Sequence, residues 1–154
     1  MLGNPILGEN KQNSAGVSSC IAVGKNFNCV ITGSLKATYM IDLHCHLLPG
    51  IDDGARDLDD ALAMARLAVA RGTTHIVVTP HIHPGRWENS IDNISVACQQ
   101  LQSALNEHGI ALQLSYAGEV RLSEALQGQV KRNEIPFLGS YDGDKVMLLE
   151  FPPS

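Results

Sequence analysis

Short apolar runs alternate along the chain with segments whose apolar residues recur at helical spacing, starting near Tyr39. The apolar runs predict buried strands at residues 40–44, 74–79, 110–120 and 145–151. The periodic segments predict helices between Asp57 and Gly72, over 90–108 and over 123–132. Because strands separated by helices are typical of βαβ units, the sequence predicts an α/β fold with a parallel sheet.

The first predicted helix shows the clearest amphipathic pattern. Asp57 suits its N-cap, and Asp59 and Asp60 suit the positive end of the helix dipole. One stripe at helical spacing is expected to face the core, and it consists of Leu58, Leu62, Ala65 and Val69.

The first 39 residues lack this pattern and are rich in glycine, asparagine and serine. Residues 20–24 and 29–32 are each compatible with a short strand, but no amphipathic helix accompanies them. We therefore expect residues 1–39 to be a disordered extension outside the fold. Residues 40–154 are expected to form the functional domain.

Composition and charge exclude several classes of protein. The net charge of −5 argues against a nucleic-acid-binding protein that relies on bulk electrostatics. The sequence has no apolar run long enough to insert into a membrane and no signal-peptide pattern at its start. Its four cysteines form no C-x₂-C pair, which disfavours zinc-ribbon and thioredoxin-like sites. A cytoplasmic protein with reduced thiols is expected.

Polar side chains stand at the carboxyl ends of the predicted strands, where parallel α/β folds build their active sites. The residues concerned are His44, His46, His81, Glu119 and Glu150. Since residues i and i+2 of a strand share a face, His44 and His46 can reach the same metal ion. The alternative is two ordinary polar residues at a strand end.

A glycine-punctuated loop places Asp52 and Asp53 shortly after these histidines, where either carboxylate could instead be a turn residue or a helix cap. His81 follows a second strand and lies between Pro80 and Pro84, which favours a stiff loop. Glu150 ends an apolar run, where a carboxylate is costly unless it binds a cation or pairs with an arginine.

Imidazoles mixed with carboxylates suit manganese, iron, zinc or cobalt rather than a dedicated magnesium or calcium site. More ligands are available than one ion can use, so two or three ions are expected. Clustered metal ions activate water and polarise phosphoryl oxygens, which favours hydrolysis of a phosphoester. Other phosphate chemistries lack support, because the sequence has no Cys-x₅-Arg, no Walker motif and no H-E-x-x-H.

Several short motifs of the sequence, taken together, are similar to the motif set of a known superfamily. Residues 40–55 read MIDLHCHLLPGIDDGA, and TPH, GEVR and LLEFP follow further along. This set resembles the PHP (polymerase and histidinol phosphatase) superfamily, and within it the bacterial capsular and exopolysaccharide-type tyrosine phosphatases that use manganese instead of cysteine. The resemblance covers Met40 to Pro152.

The resemblance implies a distorted (β/α)₇ barrel with metal ions at the strand ends. It carries over as metal ligands His44, His46, Asp53, His81, Glu119 and Glu150. We expect His44, His46 and Glu119 around one ion and Asp53 with His81 around a neighbour, with Glu119 as the bridge. Arg121 and Arg86 are candidates for contact with phosphate or with a metal ligand, although solvated surface arginines are an equal alternative.

The resemblance also implies a substrate, a phosphotyrosine protein such as a bacterial tyrosine kinase of polysaccharide export. Family members continue beyond the position of Ser154 with further ligands, so only the N-terminal strand–helix units of the barrel are expected here. Two alternatives stay open: a phosphatase of a small phosphoester of the histidinol-phosphate type, and an inactive truncated remnant. A half barrel has an unpaired sheet edge, which favours aggregation or oligomers.

Overall fold

The computed structural model describes residues 28–31 and 39–152, and in this part the chain forms nine strands and three helices. In chain order these are β1 Asn28–Ile31, β2 Tyr39–Cys45, α1 Leu58–Ala70, β3 Thr73–Val78, β4 His81–Ile82, α2 Ile91–Glu107, β5 Gln113–Tyr116, β6 Glu119–Arg121, α3 Leu126–Lys131, β7 Gly139–Tyr141, β8 Asp144–Val146 and β9 Leu148–Glu150.

The predicted α/β fold with parallel pairing is confirmed. The larger sheet has the order β1-β2-β3-β5, in which β2, β3 and β5 are parallel. A second parallel sheet has the order β4-β6-β9. Since β4 follows β3 after two residues and β6 follows β5 after two residues, the second sheet continues the first at its carboxyl edge.

The two long helices form where the sequence predicts them, and α1 has its predicted cap. The side chain of Asp57 accepts a hydrogen bond from the backbone of Asp60 at the start of α1. Ser90 and Asn93 form a capping box at the start of α2. The core-facing residues of these helices are Ala61, Leu62, Ala65, Ile94, Cys98, Leu101 and Leu105. None of the helices in residues 28–31 and 39–152 is long and apolar enough to cross a membrane.

The predicted stripe of α1 is wrong at its first residue. Leu58 is 42% exposed, whereas Leu62 and Ala65 are buried. Leu58 is the first residue of the helix, where the chain has just left the preceding loop, and Ala61 lies against the core instead.

Two long predicted strands are interrupted. The stretch 110–120 contains β5 and the beginning of β6, and 145–151 contains most of β8 and all of β9. Strands β7 and β8 form a hairpin around Asp142 and Gly143, whose φ angles of 50° and 89° are those of a two-residue turn with a left-handed backbone. The Asp-Gly pair was the sequence signal for this hairpin, which the strand prediction missed.

Strand β1 lies within the stretch expected to be an extension. It pairs antiparallel with β2, with Asn28 opposite Asp42 and Ile31 opposite Tyr39. Residues 28–31 therefore pair with the fold, whereas residues 1–39 were expected to lie outside it. The sequence is, however, compatible with a short strand at 29–32. The rest of the extension lies outside the described residues, and a domain boundary near residue 39 stays a prediction.

Candidate metal centre

The six predicted ligands come together around the junction between the carboxyl edge of the larger sheet and the second sheet. His44 and His46 stand at the end of β2, His81 begins β4, Glu119 begins β6 and Glu150 ends β9. Sheet register contributes directly, because His81 lies opposite Glu119 on adjacent strands. We call the set His44, His46, Asp53, His81, Glu119 and Glu150 the imidazole–carboxylate cluster.

Glu119 stands at the centre of the cluster. Its Oε2 atom lies 3.3 Å from His44 Nε2, 3.1 Å from His46 Nε2 and 3.2 Å from His81 Nδ1. The Nε2 atoms of His44 and His46 are themselves only 3.2 Å apart, as expected for two residues on one face of a strand. One carboxylate oxygen therefore faces three imidazoles, two from the end of β2 and one from the start of β4.

Asp52 is the residue that the sequence-based choice of ligands missed. Its side chain is fully buried, and its Oδ2 atom accepts a hydrogen bond of 2.7 Å from His46 Nδ1. It also accepts from the backbone amides of His81 and Gly54. Asp52 therefore fixes the His46 ring so that Nε2 faces Glu119, the role that a carboxylate behind a metal-binding imidazole usually has.

Asp53, the neighbouring carboxylate, is more exposed than Asp52 and lies closer to His81 than to His46. Its side chain is 57% exposed, and its Oδ1 atom lies 3.4 Å from His81 Nε2 and 4.0 Å from His46 Nδ1. Asp53 therefore stands at the solvent side of the cluster, beside the ring of His81.

Glu150 joins the cluster while also forming the ion pair that was the alternative for it. Its Oε1 atom accepts a 2.9 Å hydrogen bond from Arg121, which also donates to the carbonyl of Phe151. Its other oxygen, Oε2, lies 3.5 Å from His81 Nδ1. Arg121 thus contacts a cluster carboxylate directly.

Arg86 lies farther from the cluster. Its guanidinium stands over the ring of Trp87 at 4.0 Å from the ring centroid, and Trp87 in turn stacks on His81. The arginine is therefore separated from the nearest cluster residue by one aromatic ring.

The imidazoles and carboxylates of the site stabilise each other's charged forms, which shifts their pKa values. Burial alone would lower the pKa of His46, but its hydrogen bonds to Asp52 and Glu119 outweigh burial and raise the pKa to about 9. Burial would likewise raise the pKa of Glu119, but hydrogen bonds from His44 and His46 hold it well below its usual range. The pKa of Asp52 is lowered in the same way, against its burial, chiefly by His46. Glu119 and Asp52 thus remain ionised at neutral pH.

Cys45 stands between the two histidines of β2 but does not share their chemistry. Burial, followed by the nearby charges of Asp42 and Asp52, raises the pKa of its thiol to about 12. Since the thiolate is the nucleophilic form of cysteine, this thiol is inert at neutral pH. The structure therefore agrees with the exclusion of a cysteine-nucleophile phosphatase for this site.

Backbone contacts hold the loops that carry the cluster. The amide of Thr79 donates to the carbonyl of Cys45, and the Thr79 hydroxyl accepts from the Cys45 amide, which ties the ends of β2 and β3 together. In the loop after His46, a Cβ added at Gly54 would lie 2.1 Å from the His46 carbonyl oxygen. Only glycine allows that close approach, which brings Asp52 against the His46 ring.

The donor set fits divalent metal ions. Two groups of three residues offer ligand atoms within 4.8 Å of one another: His44, His46 and Glu119, and His46, Asp53 and His81. His81 Nδ1 and Glu150 Oε2 are buried and have no hydrogen-bond partner among the described residues. Both are lone-pair atoms that a cation can satisfy, and mixed nitrogen and oxygen donors suit manganese, iron, cobalt or zinc.

Comparison with known proteins places this geometry in a family. The model of the family described as "Capsular polysaccharide synthesis, CpsB/CapC" matches residues 40–154. The chain belongs to the CpsB/CapC family. The match begins at the second residue of β2 and includes every later strand and helix, and with them every residue of the imidazole–carboxylate cluster.

Relatives of this CpsB/CapC chain are named as phosphatases. The tyrosine-protein phosphatase YwqE of Bacillus subtilis is 40% identical over 114 residues, which cover 73% of this chain and 43% of YwqE. The tyrosine-protein phosphatase CpsB of Streptococcus agalactiae is 30% identical over 116 residues, which cover 73% of this chain and 45% of CpsB. The chain thus spans less than half the length of these curated relatives.

A solved structure shares the fold. It comes from the crystal structures of YwqE from Bacillus subtilis and CpsB from Streptococcus pneumoniae, described as unique metal-dependent tyrosine phosphatases. The superposition has a TM-score of 0.65 at 35% sequence identity and covers 73% of this CpsB/CapC chain and 44% of the solved chain.

Proposed function

We propose that residues 40–154 form the first part of a metal-dependent phosphotyrosine-protein phosphatase domain with the distorted (β/α)₇ barrel of the PHP superfamily. The single observation that carries the proposal is the position of Glu119 Oε2, within 3.3 Å of the three imidazoles of His44, His46 and His81. A carboxylate among converging imidazoles is a donor set that suits a metal ion, and the carboxyl edge of a parallel sheet is where α/β enzymes bind substrates, so both features support the proposal.

The six cluster residues are the proposed ligands. His44, His46 and Glu119 would hold one ion, and Asp53 and His81 a neighbouring one, with Glu119 between them. Glu150 would contribute its Oε2 atom, which faces His81 Nδ1. Manganese is the proposed metal, in two or three ions, and iron, cobalt and zinc share its preference for this donor set.

The protein side of the chemistry follows from the contacts. When bound, the ions supply positive charge for the phosphoryl oxygens and lower the pKa of water. Asp52 keeps the His46 ring in place by holding its Nδ1 proton. Arg121 anchors Glu150 through Oε1 and leaves Oε2 turned toward His81. Arg86, at the outer side of Trp87, is the proposed contact for the substrate phosphate, with Arg121 as a second candidate.

The proposal includes substrate and surroundings. Relatives named as tyrosine-protein phosphatases favour a phosphotyrosine protein over a small phosphoester. The family description, capsular polysaccharide synthesis, favours a tyrosine kinase of polysaccharide export as that protein. A cytoplasmic location and a domain boundary near residue 39 complete the proposal.

A chimera tests the proposed activity. Residues 40–152 of this chain would replace the matching segment of Bacillus subtilis YwqE, which supplies the rest of a phosphatase chain. We expect manganese-dependent hydrolysis of a phosphotyrosine peptide, and a weaker rate on histidinol phosphate. In the chimera, His44→Ala with His46→Ala should lower kcat/KM roughly a thousandfold, because several kcal/mol of stabilisation by the metal are lost.

The control for the chimera is the pair His75→Ala with His108→Ala, two exposed histidines outside the cluster. It should retain the rate of the parent chimera. A folded chimera that prefers histidinol phosphate would contradict the substrate, and one that works equally well with both cluster histidines removed would contradict the site.

A further inference from the structure

His81 differs from His46 in how its ring is held. His46 is fixed by the hydrogen bond between its Nδ1 and Asp52. The Nδ1 atom of His81, in contrast, has no hydrogen-bond partner among the described residues, although Glu119 and Glu150 oxygens lie 3.2 and 3.5 Å away. A metal-binding imidazole is usually oriented by a short hydrogen bond at the nitrogen that does not bind the ion. With Nδ1 of His81 turned toward Glu119 and Glu150, that nitrogen is Nε2, which lies 3.4 Å from Asp53 Oδ1, so His81 lacks the 2.7 Å support that Asp52 gives His46.

The backbone of His81 is already fixed. The side-chain amide of Asn89 donates to the His81 carbonyl at 2.8 Å and to the Ile51 carbonyl at 3.0 Å. Asn89 thereby ties the start of β4 to the loop that carries Asp52 and Asp53. The freedom that remains to His81 is rotation of its ring.

Trp87 restricts that rotation. Its indole stacks on the His81 imidazole with 4.5 Å between ring centroids and 9° between ring planes. The backbone of Trp87 is held by a tight turn, since His83 and Trp87 exchange backbone hydrogen bonds of 2.9 and 2.8 Å. The turn includes Gly85 at a φ of +81°, a conformation that favours glycine.

We propose that Trp87 is a positioning residue for the metal centre: its flat stack on His81 replaces the hydrogen bond that orients other metal-binding imidazoles. The inference rests on the metal centre proposed above. With the ring plane fixed, Nδ1 faces Glu119 and Glu150, and Nε2 faces Asp53 at 3.4 Å. Rotation of the ring about its bond to Cβ would take both nitrogens out of line with these carboxylates.

Electrostatics favour the same stack. An imidazole bound to a divalent ion gains positive character, and the face of an indole is the best aromatic partner for a cation. The other cation on Trp87, the guanidinium of Arg86, lies 4.0 Å from its ring centroid. The indole thus lies between His81 of the cluster and Arg86, the arginine proposed to contact phosphate.

The single tryptophan of the chain provides a direct readout. The 154-residue protein is titrated with MnCl₂, and free Mn²⁺ is counted by electron paramagnetic resonance while indole emission is recorded. We expect emission to fall in proportion to bound Mn²⁺, because the paramagnetic ion binds an imidazole in contact with the indole. Binding of Mn²⁺ with unchanged emission would overturn the inference.

Three variants separate orientation from mere packing. Trp87→Leu removes the flat ring and should weaken Mn²⁺ binding about 10–100-fold, the usual loss when support of a ligand is removed. Trp87→Phe keeps a flat aromatic face and should restore most of the affinity. Tyr116→Leu removes a partly exposed aromatic ring that lies against α2 beside Ser95 and Cys98, and it should leave the affinity unchanged.

Each outcome decides a different point. If the parent binds Mn²⁺ and Trp87→Leu binds it equally well, the positioning role is wrong and the metal centre stands. If Trp87→Phe is as weak as Trp87→Leu although both keep the far-UV circular dichroism of the parent, stacking is not the cause. If the parent itself binds no Mn²⁺, the metal centre and the inference both fail.

Discussion

Glu119 keeps its charge in a mostly buried position because three imidazoles surround one of its oxygens. Its side chain is only 12% exposed, and an unpaired carboxylate there would be costly. Both ring nitrogens of His46 lie beside carboxylates, Nδ1 beside Asp52 and Nε2 beside Glu119, and these carboxylates keep the imidazole protonated. A metal ion that binds this imidazole has to displace one of its two ring protons. This makes His46 the residue at which pH and metal binding are coupled.

Metal affinity should therefore rise with pH. The pKa of His46 is raised from the ordinary imidazole value of 6.5 to about 9 by its hydrogen bonds to Asp52 and Glu119, so the ring is protonated at neutral pH and loses its proton as the pH passes about 9. Between pH 6.5 and 9 the apparent affinity for Mn²⁺ should increase by up to roughly tenfold per pH unit for this proton. Electron paramagnetic resonance of free Mn²⁺ at several pH values measures it.

The same raised pKa affects the stability of the metal-free fold. Protonation of His46 stabilises the fold fully below about pH 6.5, and this contribution is lost as pH rises through about 9.

Asp52→Asn is the matched variant for the dependence of metal affinity on pH, because it removes the charge behind His46. It should flatten the dependence of Mn²⁺ affinity on pH, and an affinity that is flat in the parent would contradict the account of His46.

At this scale the sequence predicted which residues meet but not every role. Periodicity and strand ends indicated the histidines and Glu119 because residues at the ends of parallel strands share one edge. The sequence pattern could not tell the role of Asp52 from that of Asp53, since the directions of adjacent side chains in a turn depend on the course of the loop. Trp87 carried no signal of its own, because its stack on His81 depends on the turn at His83–Trp87.

Among the elements, the loop between β2 and α1 has the strictest requirement for one residue type, glycine at position 54. The amide of Ala55 donates to the carbonyl of His46, which folds the loop back on the end of the strand. A Cβ at Gly54 would lie 2.1 Å from the His46 carbonyl oxygen and 2.4 Å from its Cβ. Since both atoms belong to a residue fixed by the sheet, the loop would have to move.

Gly54→Ala should accordingly destabilise the protein by about 1–3 kcal/mol, the usual cost of forcing extra volume into a packed site. It should also weaken Mn²⁺ binding, because Asp52 moves with the loop. Urea denaturation measures the stability.

Gly128→Ala in α3 is the matched control for that variant. Its Cβ would meet only the end of the flexible Arg132 side chain, at 2.9 Å. Alanine favours the helix by up to about 1 kcal/mol over glycine, so stability should be unchanged or higher. Equal stability of Gly54→Ala and the parent would show that the loop can relax around the added methyl group.

Element types and the starts of the two long helices were predictable from the sequence, whereas the ends of the later strands were not. Helix α1 begins after its predicted cap, Asp57, and α2 begins after Ser90, the first residue of the helical stretch expected over 90–108, because both side chains accept hydrogen bonds from free backbone amides. The apolar run 145–151 contains strands of two different sheets, since β8 pairs with β7 and β9 pairs with β6. Which partner a strand takes depends on tertiary packing, which a local pattern does not contain.

For the molecule as a whole, the sequence predicted the class of fold but not all of its pairing. Alternating strands and helices imply parallel pairing, and β2, β3 and β5 show it. The antiparallel strand β1 comes from the stretch with no accompanying helix, so periodicity could not assign it to the sheet. The site draws on segments from His44 to Glu150, and its assembly therefore depends on the whole described fold.

The central claim is that the imidazole–carboxylate cluster binds metal ions, and the most direct test is the metal content of the 154-residue protein. After loading with MnCl₂ and removal of free ions, the parent and the variant His75→Ala with His108→Ala should retain bound manganese by elemental analysis. The variant His44→Ala with His46→Ala should lose most of it, because both imidazoles that face Glu119 from β2 are gone. Equal manganese content in this variant and the parent would contradict the account.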